Sequence, residues 1–380
     1  MERRQFLKYA AVGLAYLSAG LPGCTLKGRR LLPQQALSDF HLSMTEALVE
    51  MVDGTPVYKW VFESPSTGPR YPGPVLNLVE GDPVTIALTN TLDEDHAFAV
   101  PGVVDSGPLR PGESRLVSFI APVAGTYLYI DPLNAPVNRE LGLHGAMVVL
   151  PRNVGNIPYS NPTPFVRDLF NDLGTTEHFP GEPWNPTRTR IWLFDSVDPK
   201  FNQMAMEGKV IDPASFVDEY HPRYFLINGE AGAYAAHNHD TVPSGRIGQP
   251  ILIRILNADA DVHSPHIHGN HVYVTAVNGR PRENAQAVDT FSVFPMDTVD
   301  WLLPIIRPPD IPGDPRIPLR DLVRNELAFV LGDVPQSPLT YPMHGHDELS
   351  QTGAGGNYPQ GLVTTWEITG DVDGVDFPRH

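Results

Sequence analysis

The chain has 380 residues, 41% of them apolar and 19% charged, with 40 prolines and 33 glycines. That length and apolar content exclude a wholly disordered chain and suffice for two domains, each with its own core. A formal net charge of −17, with no cluster of Lys or Arg in the body of the chain, excludes a polyanionic partner such as nucleic acid, because neutralising phosphates needs grouped cations.

The first 24 residues, MERRQFLKYAAVGLAYLSAGLPGC, combine a charged start, an apolar stretch and a small residue before a cysteine, which is the make-up of an export signal. Arg3-Arg4-Gln5-Phe6-Leu7-Lys8 resembles the twin-arginine address used for bacterial export of folded proteins. Leu21-Pro22-Gly23-Cys24 resembles a lipobox, in which Cys24 carries the lipid and begins the mature protein. The expectation is a periplasmic or cell-surface lipoprotein held to the membrane by that anchor; the alternative is cleavage nearby, with Cys24 discarded. Cys24 is the only cysteine, so no disulfide forms within one chain.

Beyond the signal, short runs rich in Val, Ile, Leu and Tyr separated by Pro and Gly predict a mainly β chain. The stretch GDPVTIALTN at 81–90 and GQPILIRILN at 248–257 share the pattern Gly-x-Pro-apolar-x-Ile-x-apolar-x-Asn, whose alternation predicts a strand exposed on one face. The offset is 167 residues, and it also pairs Gly102 with Gly269 and His96 with His263. A repeat of that length means duplicated domains, at 32–152 and 188–372. The segment 153–187 between them has the Pro, Asn, Thr and Gly density of a linker, with a helical turn at 165–173. Residues 307–338 form a second proline-rich excursion, in which RDLVRNELAFVL at 320–331 predicts a short helix. Strands with one apolar face close into two-sheet sandwiches, so the expectation is all-β, with two tandem Greek-key β-sandwich domains.

The second domain holds the histidines. HSPHIHG at 263–269 and HGH at 344–346 place His266 with His268, and His344 with His346, at the spacing of two that puts side chains on one face of a strand. Two such pairs on neighbouring strands can converge on an ion that favours imidazole, such as copper or zinc. Glu348, two residues beyond His346, is a further possible ligand or a base beside a metal-bound water. His144 in GLHGAMVV is expected to be structural, and His237 with His239 in AAHNHDT to lie in a solvated loop. The chain has no Gly-x-Ser-x-Gly elbow, no Gly-x-x-x-x-Gly-Lys phosphate loop and no His-Glu-x-x-His helix.

HSPHIHG resembles the His-x-x-His-x-His-Gly motif of the multicopper oxidases, and PMHGHDELSQTGAGGNYPQGL resembles their closing His-Cys-His motif. EALVEMVDGTPVYKWVFE followed by YPGPVLNLVEGDPVTIALTNT is similar to the opening of their first domain. The resemblance covers nearly all of the mature chain and implies two cupredoxin-like domains. It also implies that His263 stands for the histidine of a blue type 1 copper, and His266, His268, His344 and His346 for ligands of a trinuclear copper cluster.

The departures limit what carries over. Gly345 stands where the type 1 cysteine belongs, and Ser350 at or near the second type 1 histidine. The 167-residue offset puts Ala99 and Pro101 opposite His266 and His268, and Ile130 and Pro132 occupy the positions matching His344 and His346. A blue site depends on a copper–thiolate bond, so the expectation is no type 1 copper, no ordinary laccase activity, and one copper ion or two held by the four histidines, with His263 and Glu348 as lesser candidates. The function so implied is an exported copper-binding oxidoreductase or electron-transfer protein with a redox partner or substrate that the sequence does not identify. The alternative is a metal-free cupredoxin scaffold for assembly or partner binding at the envelope. A third reading, a copper cluster completed between subunits, follows from the trimers that two-domain relatives form.

Overall fold

The computed structural model describes residues 38–284, 286–308 and 339–376. The export signal with Cys24, the expected helix at 320–331 and the terminal His380 lie outside the described residues.

The first sandwich is built from β1 (Ser38–Glu50), β2 (Pro56–Glu63), β3 (Leu76–Val79), β4 (Pro83–Asn90), β5 (Ala99–Val100), β6 (Val104–Asp105), β7 (Ser114–Ile120), β8 (Gly125–Ile130) and β9 (His144–Leu150). One sheet runs β2-β1-β4-β7 and the other β3-β9-β8-β5-β6. Their inner faces meet in one core that includes Leu42, Phe62, Leu78, Ile86, Tyr129 and Met147.

The second sandwich uses β10 (Thr189–Val197), β11 (Tyr224–Ile227), β12 (Ser244–Gly245), β13 (Ile251–Asn257), β14 (Pro265–Ile267), β15 (Val272–Val277), β16 (Arg280–Pro281), β17 (Ala287–Val288), β18 (Thr298–Leu303), β19 (Leu339–Gly345) and β20 (Val363–Ile368). Its larger sheet is ordered β11-β10-β13-β18-β15-β16, with β17 also on β15, and its smaller one β12-β20-β19-β14. Trp192, Ile253 and Trp301 from the first meet Ile267, Met343 and Trp366 from the second.

The 167-residue repeat is visible in the backbone. Asn90 Nδ2 donates to the carbonyls of Glu94 (2.7 Å) and Leu109 (2.9 Å), while its Oδ1 accepts from Leu92 N at 3.0 Å. Asn257 does the same with Asp261 (2.8 Å), Val293 (2.9 Å) and Asp259 N (2.9 Å). The asparagine that closes the sequence pattern is therefore a clamp on the loop after the strand, and buried amides of this kind need every partner they can find. Gly81 and Gly248 precede the paired strands with φ of 77° and 79°, a conformation that glycine enters without a Cβ clash.

The equivalent strands differ in one respect. β4 alternates as expected, with Val84, Ile86 and Leu88 buried and the residues between them partly open. All of β13 is buried, which corrects the expectation of a strand exposed on one face. Ile251, Ile253 and Ile255 point into the sandwich core, and the opposite face is covered from outside. Leu252 packs on the linker helix Pro164–Asp172 through Val166, Leu169 and Phe170, and Leu256 packs on Leu128 and Ile130 of the first sandwich. That helix starts at Thr163, whose hydroxyl accepts from Val166 N and donates to the Arg282 carbonyl, the cap chemistry that a Thr-Pro start provides.

Candidate metal centre

β14 and β19 pair antiparallel with His266 opposite His344 and Ile267 opposite Met343. Because successive side chains of a strand face opposite sides, Ile267 and Met343 enter the core at 1% and 0% exposure, and the two histidines stand on the outer face. His268 continues the same face one residue past β14, with its N–H on the Pro342 carbonyl, and His346 does so past β19, with its N–H on the Ser264 carbonyl. The four rings thus form a row on the outside of the smaller sheet, with centroids 4.6 Å apart for His266 and His268, 5.3 Å for His266 and His344, and 5.3 Å for His266 and His346.

Ring nitrogens of His266, His268 and His344 all lie within 4.8 Å of one another, the one such group of His, Cys, Asp or Glu among the described residues. His346 stands beside His266 but outside that trio. His344 Nδ1 lies 2.9 Å from the Gly345 carbonyl; a carbonyl only accepts, so Nδ1 carries the proton and Nε2 keeps its lone pair. His268 Nε2 lies 3.2 Å from that Nε2. Two imidazole nitrogens bound to one tetrahedral ion at about 2.0–2.1 Å sit about 3.3–3.4 Å apart, so the observed spacing suits a shared ion without rearrangement. His266 Nδ1 contacts Thr290 Oγ1 at 2.6 Å, the kind of outer partner that orients a ligand ring.

Burial, and then the neighbouring rings, lower the pKa of His266; burial and His344 lower that of His268. Neutral imidazole is the form that binds metal, so the cluster favours the ligand state before any ion arrives. His266 and His344 are half-buried, while His268 and His346 are exposed, so the centre opens directly on solvent.

His263 and Glu348 do not join the group. His263 is 2% exposed, its Nε2 is 2.7 Å from Asp259 Oδ2, and Phe194 and Phe225 flank its ring. Glu348 is exposed at the cap of the short turn Leu349–Gln351. A Cβ at Gly345 would run into Ser350 Oγ, whose own hydroxyl is fixed by donating to the Asp347 carbonyl at 2.7 Å. In the first sandwich the register is retained without the ligands, since Ala99 pairs with Ile130 as His266 pairs with His344. His96 there is buried on Asp131 at 2.7 Å. His144 is buried with its Nδ1 on the Arg139 carbonyl. His237 ends a helix, Gly232–His237, where the sequence reading expected a loop. Thr290 escaped the sequence reading because it arrives from a separate segment crossing β14, and an isolated Asp-Thr pair carries no ligand signal.

Residues 64–154 match the family model described as multicopper oxidase. The chain is 26% identical over 211 residues to a copper-containing nitrite reductase of Rhizobium sullae, covering 53% of this chain and 51% of that one. It is 27% identical over 168 residues to the multicopper oxidase mco of Staphylococcus aureus, covering 41% and 36%. The chain thus spans about half the length, or less, of these relatives. Among solved structures, the blue copper oxidase of Nitrosomonas europaea superposes with a TM-score of 0.62 over 87% of this chain and 86% of that one, at 19% identity, which shows a shared fold.

Proposed function

We propose, for a chain that is multicopper-oxidase-like and cupredoxin in fold, the role of an exported copper-binding protein that transfers electrons or oxidises a substrate at a non-blue, histidine-liganded centre. One observation carries this reading: His266, His268 and His344 bring ring nitrogens within 4.8 Å of one another on the outer face of the smaller sheet. Bound there, copper would supply one-electron chemistry. His344, its Nδ1 proton held by Gly345, and His266, oriented by Thr290, present their rings in a set direction. His268 would present Nε2 as its lone-pair nitrogen, with its proton carried on Nδ1, and His346 would complete the shell or hold a second ion.

The non-blue character rests on Gly345 and Ser350. No cysteine lies among the described residues, and His263 is engaged by Asp259. Export by the twin-arginine route, a lipid on Cys24 and a redox partner meeting the exposed histidine face complete the proposal; a second copy of the chain, as in a trimer, is the occupant to test first on that face.

Metal analysis and electron paramagnetic resonance on the mature protein, wild type beside the double change His344→Ala and His346→Ala, test it. The expected result is stoichiometric copper with a non-blue signal in wild type and its loss in the variant. Wild-type protein without tightly bound copper would sink the reading and leave the metal-free envelope scaffold in its place.

A further inference from the structure

The histidine row continues past the metal centre. Segments 262–266 and 290–294 run antiparallel, with bridges that pair His263 with Val293 and His266 with Thr290. Side chains alternate between the two faces of such a pair. His263 and Val293 therefore turn inward, at 2% and 0% exposure, while Val262, Ser264, His266 and His268 stand in one outward file. Phe294, Ser292 and Thr290 make a second file beside it. Ser264 Oγ and Ser292 Oγ meet at 2.9 Å, and the same register sets Val262 opposite Phe294. On the other flank His346 donates its N–H to the Ser264 carbonyl, so its ring stands between the metal centre and the Val262–Phe294 pair.

This end of the face is apolar and acidic at once. Val262 is 38% exposed, Phe294 57%, and Leu349, in the turn that follows His346, 70%. Asp261, Asp289, Asp347 and Glu348 are exposed in the same segments. No Lys or Arg occurs in residues 258–268, 286–297 or 343–352, which build the face. Outward files on a sheet give an open surface, whereas small ligands are held in clefts. Apolar side chains with charge of one sign around them have the make-up of a protein-docking surface, an apolar centre within a polar rim.

We propose that this end of the histidine face docks a small protein whose cationic patch surrounds an apolar centre, the electron carrier that the redox reading above calls for. The proposal rests on that reading for its purpose, while the docking itself needs no bound metal. Charge selects the occupant: the acidic rim and a net charge of −17 attract and orient a basic partner. A second copy of this chain brings the same negative charge and meets repulsion. Phe294 and Val262 supply the water-free centre of the contact, and the four acids steer the approach.

The experiment is calorimetric titration of the mature protein, copper-free and copper-loaded, with a basic cytochrome c as the probe. A saturable one-to-one complex is expected in both forms, weakening as salt rises and absent when the lysines of the probe are acetylated. Asp347→Lys with Glu348→Lys should weaken it about tenfold, and Phe294→Ser about fivefold. Asp168→Lys with Asp172→Lys makes the same change of charge on the linker helix, which packs on Leu252 and Leu302 of the larger sheet, at the far side of the second sandwich; it should leave the affinity within about twofold. No saturable binding to either form, an equal loss in the linker-helix variant, or undiminished affinity in Phe294→Ser would each overturn the proposal. So would a wild-type oligomer in sedimentation that Phe294→Ser dissolves, since the patch would then belong to a second copy. Binding of the probe by a protein that takes up no copper would uphold the docking and remove the copper reading, so the two fail separately.

Discussion

The pair Ala99 with Ile130 and the pair His266 with His344 occupy the same register in two copies of one fold, yet they meet opposite surroundings. In the first sandwich that face is pressed against its neighbour, with Ile130 and Leu128 packed on Leu193, Leu256 and Ala258. In the second, among the described residues, no such apolar layer covers the pair: His266 and His344 are half-buried, and His268 and His346 beside them are exposed. The contrast teaches that one strand pairing can serve as glue or as a ligand platform according to what covers it. Apolar side chains suit a face that will be buried, because burying unpaired imidazoles costs free energy. Imidazoles suit a face that an ion must reach.

The sharpest way to break the comparison is to exchange the roles. Ile130→His should cost about 2–3 kcal/mol of stability by placing an unpartnered polar ring in the packed interface, and it should add no metal; a denaturant titration with parallel metal analysis reads both. A variant that folds as well as wild type and gains an ion would show that the cover is loose. Next in size, Gly345→Cys should lose about 1–3 kcal/mol through overpacking against Ser350, and pairing it with Ser350→Gly should recover most of that loss. Stability of the single variant equal to wild type would mean that Ser350 does not fill the space.

The covered side also carries buried ionisable groups, and these tie the interface to pH. Burial, with Asp259 adding repulsion, pushes the Glu140 carboxyl up to about 8; burial pushes Asp195 up to about 7, despite Lys59 at 3.5 Å. Burial lowers His144 to about 3. Above about pH 6.5 His144 is neutral in both states, while the folded chain still holds protons that the unfolded chain has released, on Asp195 up to about pH 7 and on Glu140 up to about pH 8. Stability should fall as pH rises through that window, by at most about 1.4 kcal/mol per pH unit for each group. Glu140→Gln should flatten the decline between pH 7 and 8, which thermal unfolding across that range would register; an unchanged slope would remove Glu140 from the account. The smallest effect belongs to Thr290→Ala, which frees His266 Nδ1 and should weaken metal affinity about tenfold with little change in stability. Copper competition assays would expose an unaltered affinity, and with it an idle Thr290.

Much of the fold was legible, for identifiable reasons. The Gly-x-Pro and terminal Asn of the repeat are read from sequence because they act locally, one setting a positive φ and the other clamping a loop a few residues on. The helical turn expected at 165–173 is a helix at Pro164–Asp172, started by the Thr163 cap and the proline after it. The double burial of β13 is not legible in its alternation with the matching strand β4, because it depends on a cover that comes from the linker helix and from the first sandwich. Among the site residues, the trio and His346 came from their spacing; the exclusion of His263 and Glu348 did not.

The sequence by itself determined that two copies of a β-sandwich lie in tandem and that two His-x-His pairs each share a strand face, since strand period and local clamps are properties of neighbouring residues. Only the tertiary structure decided which face is covered, that Thr290 reaches His266, and that Phe294 comes to lie opposite Val262. Those facts depend on contacts between segments far apart in the chain, such as Thr126 with Asp300, which no local pattern encodes.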